Sequence, residues 1–143
     1  MLKKLLLAAL AAFSVPAFTA AQLPWACSCT RTVDAPFASR AEIGSVAVSS
    51  SCTVTTAGAS TYCQITGTAT FSYSPVPGFT LIQAGYGPPS TTITPPLGTT
   101  AYPLSGTWLC NGSSNVAFAY VNGWYGGAQI GISARQDYSC SPL

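Results

Sequence analysis

Residues 45–73, SVAVSSSCTVTTAGASTYCQITGTATFSY, contain the most regular pattern in the chain. Small or apolar side chains alternate with Ser, Thr and Gln in residues 46–55 and again in residues 63–73. An alternation with a period of two predicts strands that have one buried and one solvated face. Ser50 is the single polar residue on the apolar side of the first run. The pattern therefore predicts a β-hairpin with one face in a core.

The register of this hairpin depends on the loop between the two runs. A four-residue loop at residues 56–59 would pair Thr55 with Ser60 and place Cys52 opposite Cys63. Both apolar sets then lie on the same face, which a slip of one residue would destroy. Directly opposed residues have Cβ atoms about 4.5–5.5 Å apart. This spacing is close enough to predict a Cys52–Cys63 disulfide.

The aromatic stretch of the chain is residues 105–136, where Asn122-Gly123 separates two apolar runs. Asn-Gly favours a two-residue hairpin turn, because both central residues of that turn need a positive φ. In that register Tyr120 pairs with Tyr125, and Trp124 lies on the other face. The first interpretation is a hairpin in the core. The second is a ligand-binding group of Tyr120, Trp124 and Tyr125 at the hairpin tip, since such side chains combine a large apolar body with a polar handle.

Together these strands predict an all-β fold, a small disulfide-stabilised antiparallel β-sandwich, with a closed β-barrel as the second choice. Residues 74–104 hold seven of the eleven Pro and are predicted to cross between the two sheets. One short helix is expected near residues 35–43, with Asp34 as its N-cap and Gly44 at its end.

The N-terminus has the layout of a secretory signal peptide over residues 1–21, with a basic start, an apolar run and small residues before a cleavage site after Ala21. The apolar run is too short to span a bilayer. We therefore expect residues 22–143 to form a single domain, secreted to the extracellular space or to a periplasm, with no membrane span in the mature chain.

The mature part contains six cysteines, an even number that in a secreted chain predicts three disulfides. They are Cys27, Cys29, Cys52, Cys63, Cys110 and Cys140. With Cys52 paired to Cys63, Cys27 and Cys29 are left for Cys110 and Cys140, in an order that the sequence leaves open. A metal site is not expected, because the chain has no His and few acidic ligands.

The charges exclude several classes of function. Beyond residue 21 the chain has three Arg, three acidic residues and no Lys or His, so its net charge is zero. Nucleic acid is therefore not an expected partner. No general base with a pKa near neutrality is available, so we expect neither an enzyme nor a cofactor. Each Arg has an acidic residue nearby with which it can form a surface pair: Arg31 with Asp34, Arg40 with Glu42, and Arg135 with Asp137.

The remaining function classes are binding and structural. The first hypothesis is an extracellular module that binds a protein or a carbohydrate through the aromatic tip. The alternatives are a coat, matrix or adhesion component with a hydroxyl-rich surface, and a secreted inhibitor or effector that uses the Pro-rich residues 86–96. Asn111 begins an Asn-Gly-Ser glycosylation sequon, which applies only in a eukaryotic host.

Overall fold

The computed structural model describes residues 27–142, and within them the chain is all strand and turn with no helix. The predicted signal peptide, residues 1–21, lies outside the described residues. The strands are β1 (Cys27–Ala35), β2 (Phe37–Arg40), β3 (Gly44–Ala57), β4 (Ser60–Tyr73), β5 (Thr80–Gly87), β6 (Thr91–Ile93), β7 (Gly98–Leu109), β8 (Ser114–Tyr125) and β9 (Ala128–Pro142).

Two antiparallel sheets pack face to face, which confirms the predicted sandwich and gives no support to a closed barrel. One sheet has the order β1-β9-β8-β5-β6 and the other β2-β3-β4-β7. The chain between β4 and β7 visits the first sheet as β5 and β6 and then returns, as predicted for residues 74–104. Phe71 lies at the centre of the interior, with its ring edge-on to Tyr86 (6.4 Å) and Tyr102 (5.8 Å).

The β3–β4 hairpin forms, but the predicted register is wrong by two residues. Ala57 pairs with Ser60, and the loop between them is only two residues long with Gly58 at φ 63°. Cys52 therefore does not lie directly opposite Cys63. A shift of two residues keeps every apolar side chain on its face, so the alternation allows both registers. The shorter loop brings more residues into the ladder.

The predicted helix near residues 35–43 is wrong. Phe37–Arg40 forms β2, which pairs with the start of β3, and the N–H of Val48 donates to the carbonyl of Pro36 at 2.8 Å. A helix of about two turns is unstable alone, whereas an edge strand gains a ladder from its neighbour. Gly44 is not a helix end but the start of β3, at φ 121°, where a Cβ atom would collide with the carbonyl of Ser72.

The predicted turn at Asn122-Gly123 is also wrong, although the hairpin itself exists as β8 and β9. Its two-residue turn is Gly126-Gly127, with φ values of 61° and 78°. These glycines meet the same conformational requirement as Asn-Gly. Gly123 lies inside β8, and the ring of Phe79 occupies the space that a Cβ atom on this residue would fill.

Ser50 is the polar residue on the apolar side of β3. Its hydrogen bonds connect β3, in the four-stranded sheet, to β1 and β9 of the five-stranded sheet. Its N–H donates to Oε1 of Gln136 at 2.8 Å, and its carbonyl accepts from Nη2 of Arg31 at 2.9 Å. Its hydroxyl lies 2.8 Å from the Tyr138 hydroxyl, and Nε2 of Gln136 donates to Asp34 at 2.9 Å. The hydrogen bond to Tyr138 raises the pKa of Arg31, so the guanidinium stays charged. We call these five residues the seam cluster.

On the opposite side of the sandwich, a hydrogen bond between backbone groups connects the two sheets. The N–H of Ser105 on β7 donates to the carbonyl of Pro88 at 2.8 Å, just beyond the end of β5. The Pro-rich segment is thus held against the edge of β7 and does not project from the fold.

Replacing Gln136 by Ala should destabilise the domain by about 2 kcal/mol, because the partly buried N–H of Ser50 loses its acceptor and the buried Gln136 side chain leaves a cavity. Gln136 is 4% exposed, whereas Gln83 is exposed and provides a matched control as Gln83→Ala. Urea unfolding followed by circular dichroism measures both free energies. Equal stability of the two variants would contradict the role given to Gln136.

Two glycine substitutions test the position of the hairpin turn. Gly123→Ala should lower the free energy of unfolding by about 1–3 kcal/mol, because the added methyl group collides with Phe79. Gly126→Asn should be close to neutral, since Asn tolerates a positive φ. A Gly123→Ala variant as stable as the unsubstituted protein would contradict the contact with Phe79, and a large loss of stability in Gly126→Asn would contradict a turn at Gly126-Gly127. Thermal unfolding of both variants distinguishes these outcomes.

Candidate functional site: an aromatic face along β8

Alternate residues of β8 have opposite environments. The inward side chains are small and buried, and they pack against the second sheet: Ala117, Ala119 and Val121, followed by Gly123. The outward positions include Phe118, Tyr120 and Trp124, on the outer surface of the five-stranded sheet. We call these three residues the aromatic face.

The structure brings together two of the three residues predicted at the hairpin tip. Tyr120 and Trp124 share the outer face of β8, four residues apart, while Tyr125 points to the other side, where it approaches Gly78. The predicted grouping of Tyr120 with Tyr125 fails because the turn lies four residues further along the chain. Trp124 is 48% exposed and Tyr125 39% exposed, so neither is a core residue, and Tyr120 is half-buried.

The rings of the aromatic face lie over β5, where glycines leave room for them. Phe118 and Tyr120 are stacked, with centroids 6.2 Å apart and an angle of 23° between their planes. Their ladder partners on β5 are Gly87 and Gly85. A Cβ atom on Gly85 would lie 2.9 Å from the Tyr120 hydroxyl, and one on Gly87 would lie 2.6 Å from Cε1 of Phe118. The glycines therefore let the two rings lie down on the sheet and form a flat surface.

The opposite flank, on β9, is polar. Trp124 pairs with Gln129, Asn122 with Gly131 and Tyr120 with Ser133. Gln129 and Ser133 are exposed. Amide and hydroxyl groups therefore lie beside the rings, where they can hydrogen-bond to a ligand placed on them.

A pocket of about 460 Å³ adjoins the Phe118 end of the aromatic face. The β5–β8 ladder ends at Gly87 and Phe118, while β8 continues to Ser114, and the pocket lies at this gap. Phe118, Trp108 and Pro88 contribute apolar walls. Asn115 also lines the pocket, and its buried side-chain nitrogen has no hydrogen-bond partner. The nitrogen is enclosed by protein atoms, so a ligand would reach it only after the Asn115 side chain turns towards the pocket.

Asn115 and Trp108 were not among the residues predicted from the sequence. The signal for Asn115 was present: it occupies an inward position of β8, in phase with Ala117 and Ala119, where an apolar residue is expected. Trp108 lies on β7 of the other sheet, and only the folded chain brings it near Phe118.

The electrostatics of the site are neutral. All three predicted ion pairs form: Arg31 with Asp34 at 3.5 Å, Arg40 with Glu42 at 3.3 Å, and Arg135 with Asp137 at 3.3 Å. The third pair lies on β9 beside the Phe118 end of the aromatic face. The pocket has no charged residue among those that line it within the described chain. The site therefore suits an uncharged ligand.

Three cysteines lie close enough together to suggest a metal site, but their geometry does not fit one. The sulfurs of Cys29, Cys52 and Cys63 form the group, and Cys52 and Cys63 are 2.9 Å apart. Tetrahedral zinc with sulfur at about 2.3 Å would hold two thiolates ~3.8 Å apart. The contacts resemble those of disulfide partners instead.

The outer surface of the other sheet has a different chemistry. Ser49 pairs with Thr68, and Ser51 with Thr66, so hydroxyl groups face solvent across β3 and β4. With them the sequence predicts an outward row of Ser49, Ser51, Thr53, Thr66, Thr68 and Thr70. The two outer faces of the sandwich thus present rings on one side and hydroxyl groups on the other.

Asn111 of the sequon lies in the connection between β7 and β8 and is exposed. Its Oδ1 accepts a hydrogen bond from the N–H of Ser113 at 3.2 Å.

Among residues 27–142 there is no helix long and apolar enough to cross a membrane. Comparison with protein families, with curated proteins and with solved structures gives no match to this chain.

Proposed function

We propose that this chain is a secreted, non-catalytic binding module that holds a neutral glycan on the aromatic face of β8. The observation that carries the proposal is the row of outward rings on β8, with Phe118 and Tyr120 stacked and half-buried and Trp124 exposed, on a sheet surface whose nearest charges form the Arg135–Asp137 pair. Such an array is unfavourable in water unless something covers it, and exposed apolar patches commonly mark interaction sites.

A sugar ring fits this surface better than other neutral ligands. One face of a pyranose carries C–H groups and stacks on an aromatic ring, while its edges carry hydroxyl groups that need hydrogen-bond partners. Gln129 and Ser133 provide such partners beside Trp124 and Tyr120. Trp124 and Phe118 are six residues apart along a strand, or about 20 Å. This length matches several units of a linear oligosaccharide.

The pocket supports a terminal subsite at the Phe118 end. A volume of about 460 Å³ lies within the usual range for small-ligand pockets. A sugar inside it would lie between Trp108 and Phe118. A rotation of the Asn115 side chain into the pocket would let its unpartnered nitrogen donate to one sugar hydroxyl group.

A protein partner fits the surface less well. Stable protein interfaces bury about 800 Å² on each partner around anchors that insert into pockets. The rings of Phe118 and Tyr120 lie flat over Gly87 and Gly85 and do not project as anchors.

The non-catalytic part of the proposal rests on the inventory of ionisable groups. The chain contains no His, and its Lys residues both fall within the predicted signal peptide. Each of the three acidic side chains is paired with an Arg. A proton-transfer mechanism would lack a free base.

Trp124→Ala and Tyr120→Ala should each weaken glycan binding about tenfold, or ~1.4 kcal/mol, because each removes one stacking surface. A glycan array probed with the mature protein isolated without reductant identifies the ligand, and calorimetric titration measures the affinities. Phe37→Ala is the matched control, since Phe37 is 61% exposed on β2 of the other sheet. The control should bind like the unsubstituted protein.

Tyr125→Ala distinguishes binding along the face from binding at the hairpin tip. Tyr125 adjoins the turn but points away from the aromatic face, so its loss should change the affinity less than twofold. The proposal would be refuted if Tyr125→Ala and Trp124→Ala both weakened glycan binding strongly while Tyr120→Ala had no effect. The ligand would then lie at the hairpin tip and not along the aromatic face.

Asn115→Leu should leave the free protein as stable as before or slightly more stable, since a buried unpaired amide is replaced by an apolar group. The same substitution should weaken glycan binding, because the pocket loses its donor. Thermal unfolding without ligand and titration with ligand measure the two effects. A loss of stability without a loss of affinity would show that Asn115 serves the fold alone.

The hydroxyl face favours a second candidate function, that of a coat, matrix or adhesion component. Its paired Ser and Thr residues, such as Ser49 with Thr68, give an uncharged flat surface on which copies of the chain can pack. Concentration-dependent assembly in analytical ultracentrifugation, unaffected by Trp124→Ala, would favour this role over glycan binding. The inhibitor or effector alternative has less support, since Pro88 is buried and tied to Ser105.

A further inference from the structure

The six cysteines fall into two groups of three, and this arrangement bears on how they pair. The first group joins the two sheets and consists of Cys29 on β1, Cys52 on β3 and Cys63 on β4. The second consists of Cys27, Cys110 and Cys140. Cys29 and Cys140 are ladder partners in β1 and β9, so the two groups are adjacent.

Within the first group every sulfur lies near the other two. The sulfur of Cys29 is within bonding distance of both Cys52 and Cys63, with Cα separations of 5.9 and 6.2 Å. The sulfurs of Cys52 and Cys63 are 2.9 Å apart. Since a sulfur forms only one disulfide, this group can contain one bond and must leave one cysteine over.

The second group has the same odd count. The thiol of Cys27 contacts that of Cys110, and this hydrogen bond is the main cause of the raised pKa of Cys27. Cys110 in turn contacts Cys140. One bond inside this group again leaves one cysteine over. Complete pairing of all six therefore requires an odd number of disulfides between the groups, and one is sufficient when each group keeps one internal bond.

The β1–β9 ladder identifies that bond. Cys29 and Cys140 lie directly opposite each other on neighbouring antiparallel strands. Opposed residues have Cβ atoms about 4.5–5.5 Å apart, which slight adjustment brings into the disulfide range. Cys27 and Cys29 are the other adjacent pair across the groups, but they are two residues apart on one extended strand, and their side chains run parallel.

We propose that the mature protein contains the disulfides Cys29–Cys140, Cys52–Cys63 and Cys27–Cys110. Once Cys29 pairs with Cys140, the two cysteines left in each group are already in contact. A Cys29–Cys52 bond would instead leave Cys63 as a fully buried thiol and a second thiol in the other group. The proposed set leaves none.

Each bond forms when two thiols lose two protons and two electrons. The oxidant is a disulfide-bearing molecule, such as oxidised glutathione or a disulfide-exchange protein, which is reduced to two thiols. The proposal thus requires that the chain fold in an oxidising compartment.

Peptide mapping of the unsubstituted protein, isolated without reductant and with free thiols blocked, tests the set. Trypsin and chymotrypsin cut after Arg31, Tyr62 and Tyr138, among other sites, and so separate all the cysteines except Cys27 from Cys29. The expected products are a peptide with Cys52 joined to one with Cys63, and an N-terminal peptide joined to both remaining cysteine peptides. A link from the N-terminal peptide to Cys52 or Cys63, or a blocked thiol, would overturn the proposal.

Paired substitutions decide the order of the two bonds made by the N-terminal peptide. Cys27→Ser with Cys110→Ser removes one proposed disulfide and should leave no thiol in the unfolded, unreduced protein. Cys27→Ser with Cys140→Ser breaks two proposed bonds and should leave two thiols, those of Cys29 and Cys110. The reverse pattern would overturn the order. If either double variant fails to accumulate, stepwise reduction and alkylation of the unsubstituted protein gives the same assignment.

Discussion

The sandwich depends on how the free edge of β3 is closed at Ser50. The ladder of β2 with β3 ends at Ala47, so the backbone beyond it has no neighbouring strand on that side. A buried backbone group without a partner costs about 1–3 kcal/mol. Gln136 accepts from the N–H of Ser50 and Arg31 donates to its carbonyl, and both come from the other sheet. The side chains that hydrogen-bond to the backbone of Ser50 therefore also fix the position of one sheet on the other.

The few charged side chains of the described chain are all paired, and this leaves most of its surface uncharged. Each Arg of the described chain is paired with an acidic neighbour, and one of these pairs, Arg31 with Asp34, is part of the seam cluster. Away from these pairs, one outer sheet face carries aromatic rings around Tyr120 and the other carries hydroxyl groups around Ser49. The proposed binding of a glycan would rely on stacking and neutral hydrogen bonds, which vary little with salt concentration.

The alternation of side chains was sufficient to predict strands, faces and the two-sheet fold, but not the register. A shift of two residues moved the partner of Cys52 without moving any side chain to the wrong face, so the pattern could not detect it. The C-terminal turn forms at Gly126-Gly127, and Gly123 lies within β8 against the ring of Phe79, a contact that the local sequence does not reveal. The aromatic candidates were visible in the sequence. The pocket was not, because Trp108 and Asn115 meet only when the two sheets pack.

The ladder of β1 and β9 places Cys27 beside Pro142, so both ends of the described chain leave the sandwich together. A force that separates these ends loads the hydrogen bonds of the ladder one at a time, but the proposed Cys29–Cys140 disulfide joins the two strands two residues further in and stops the opening there. The β8–β9 turn is at the far end of the same sheet. A force between that turn and either end acts along the strands and loads many hydrogen bonds at once. The domain should therefore resist a force applied between this turn and either end, and the proposed disulfide should make it resist a force between the two ends as well.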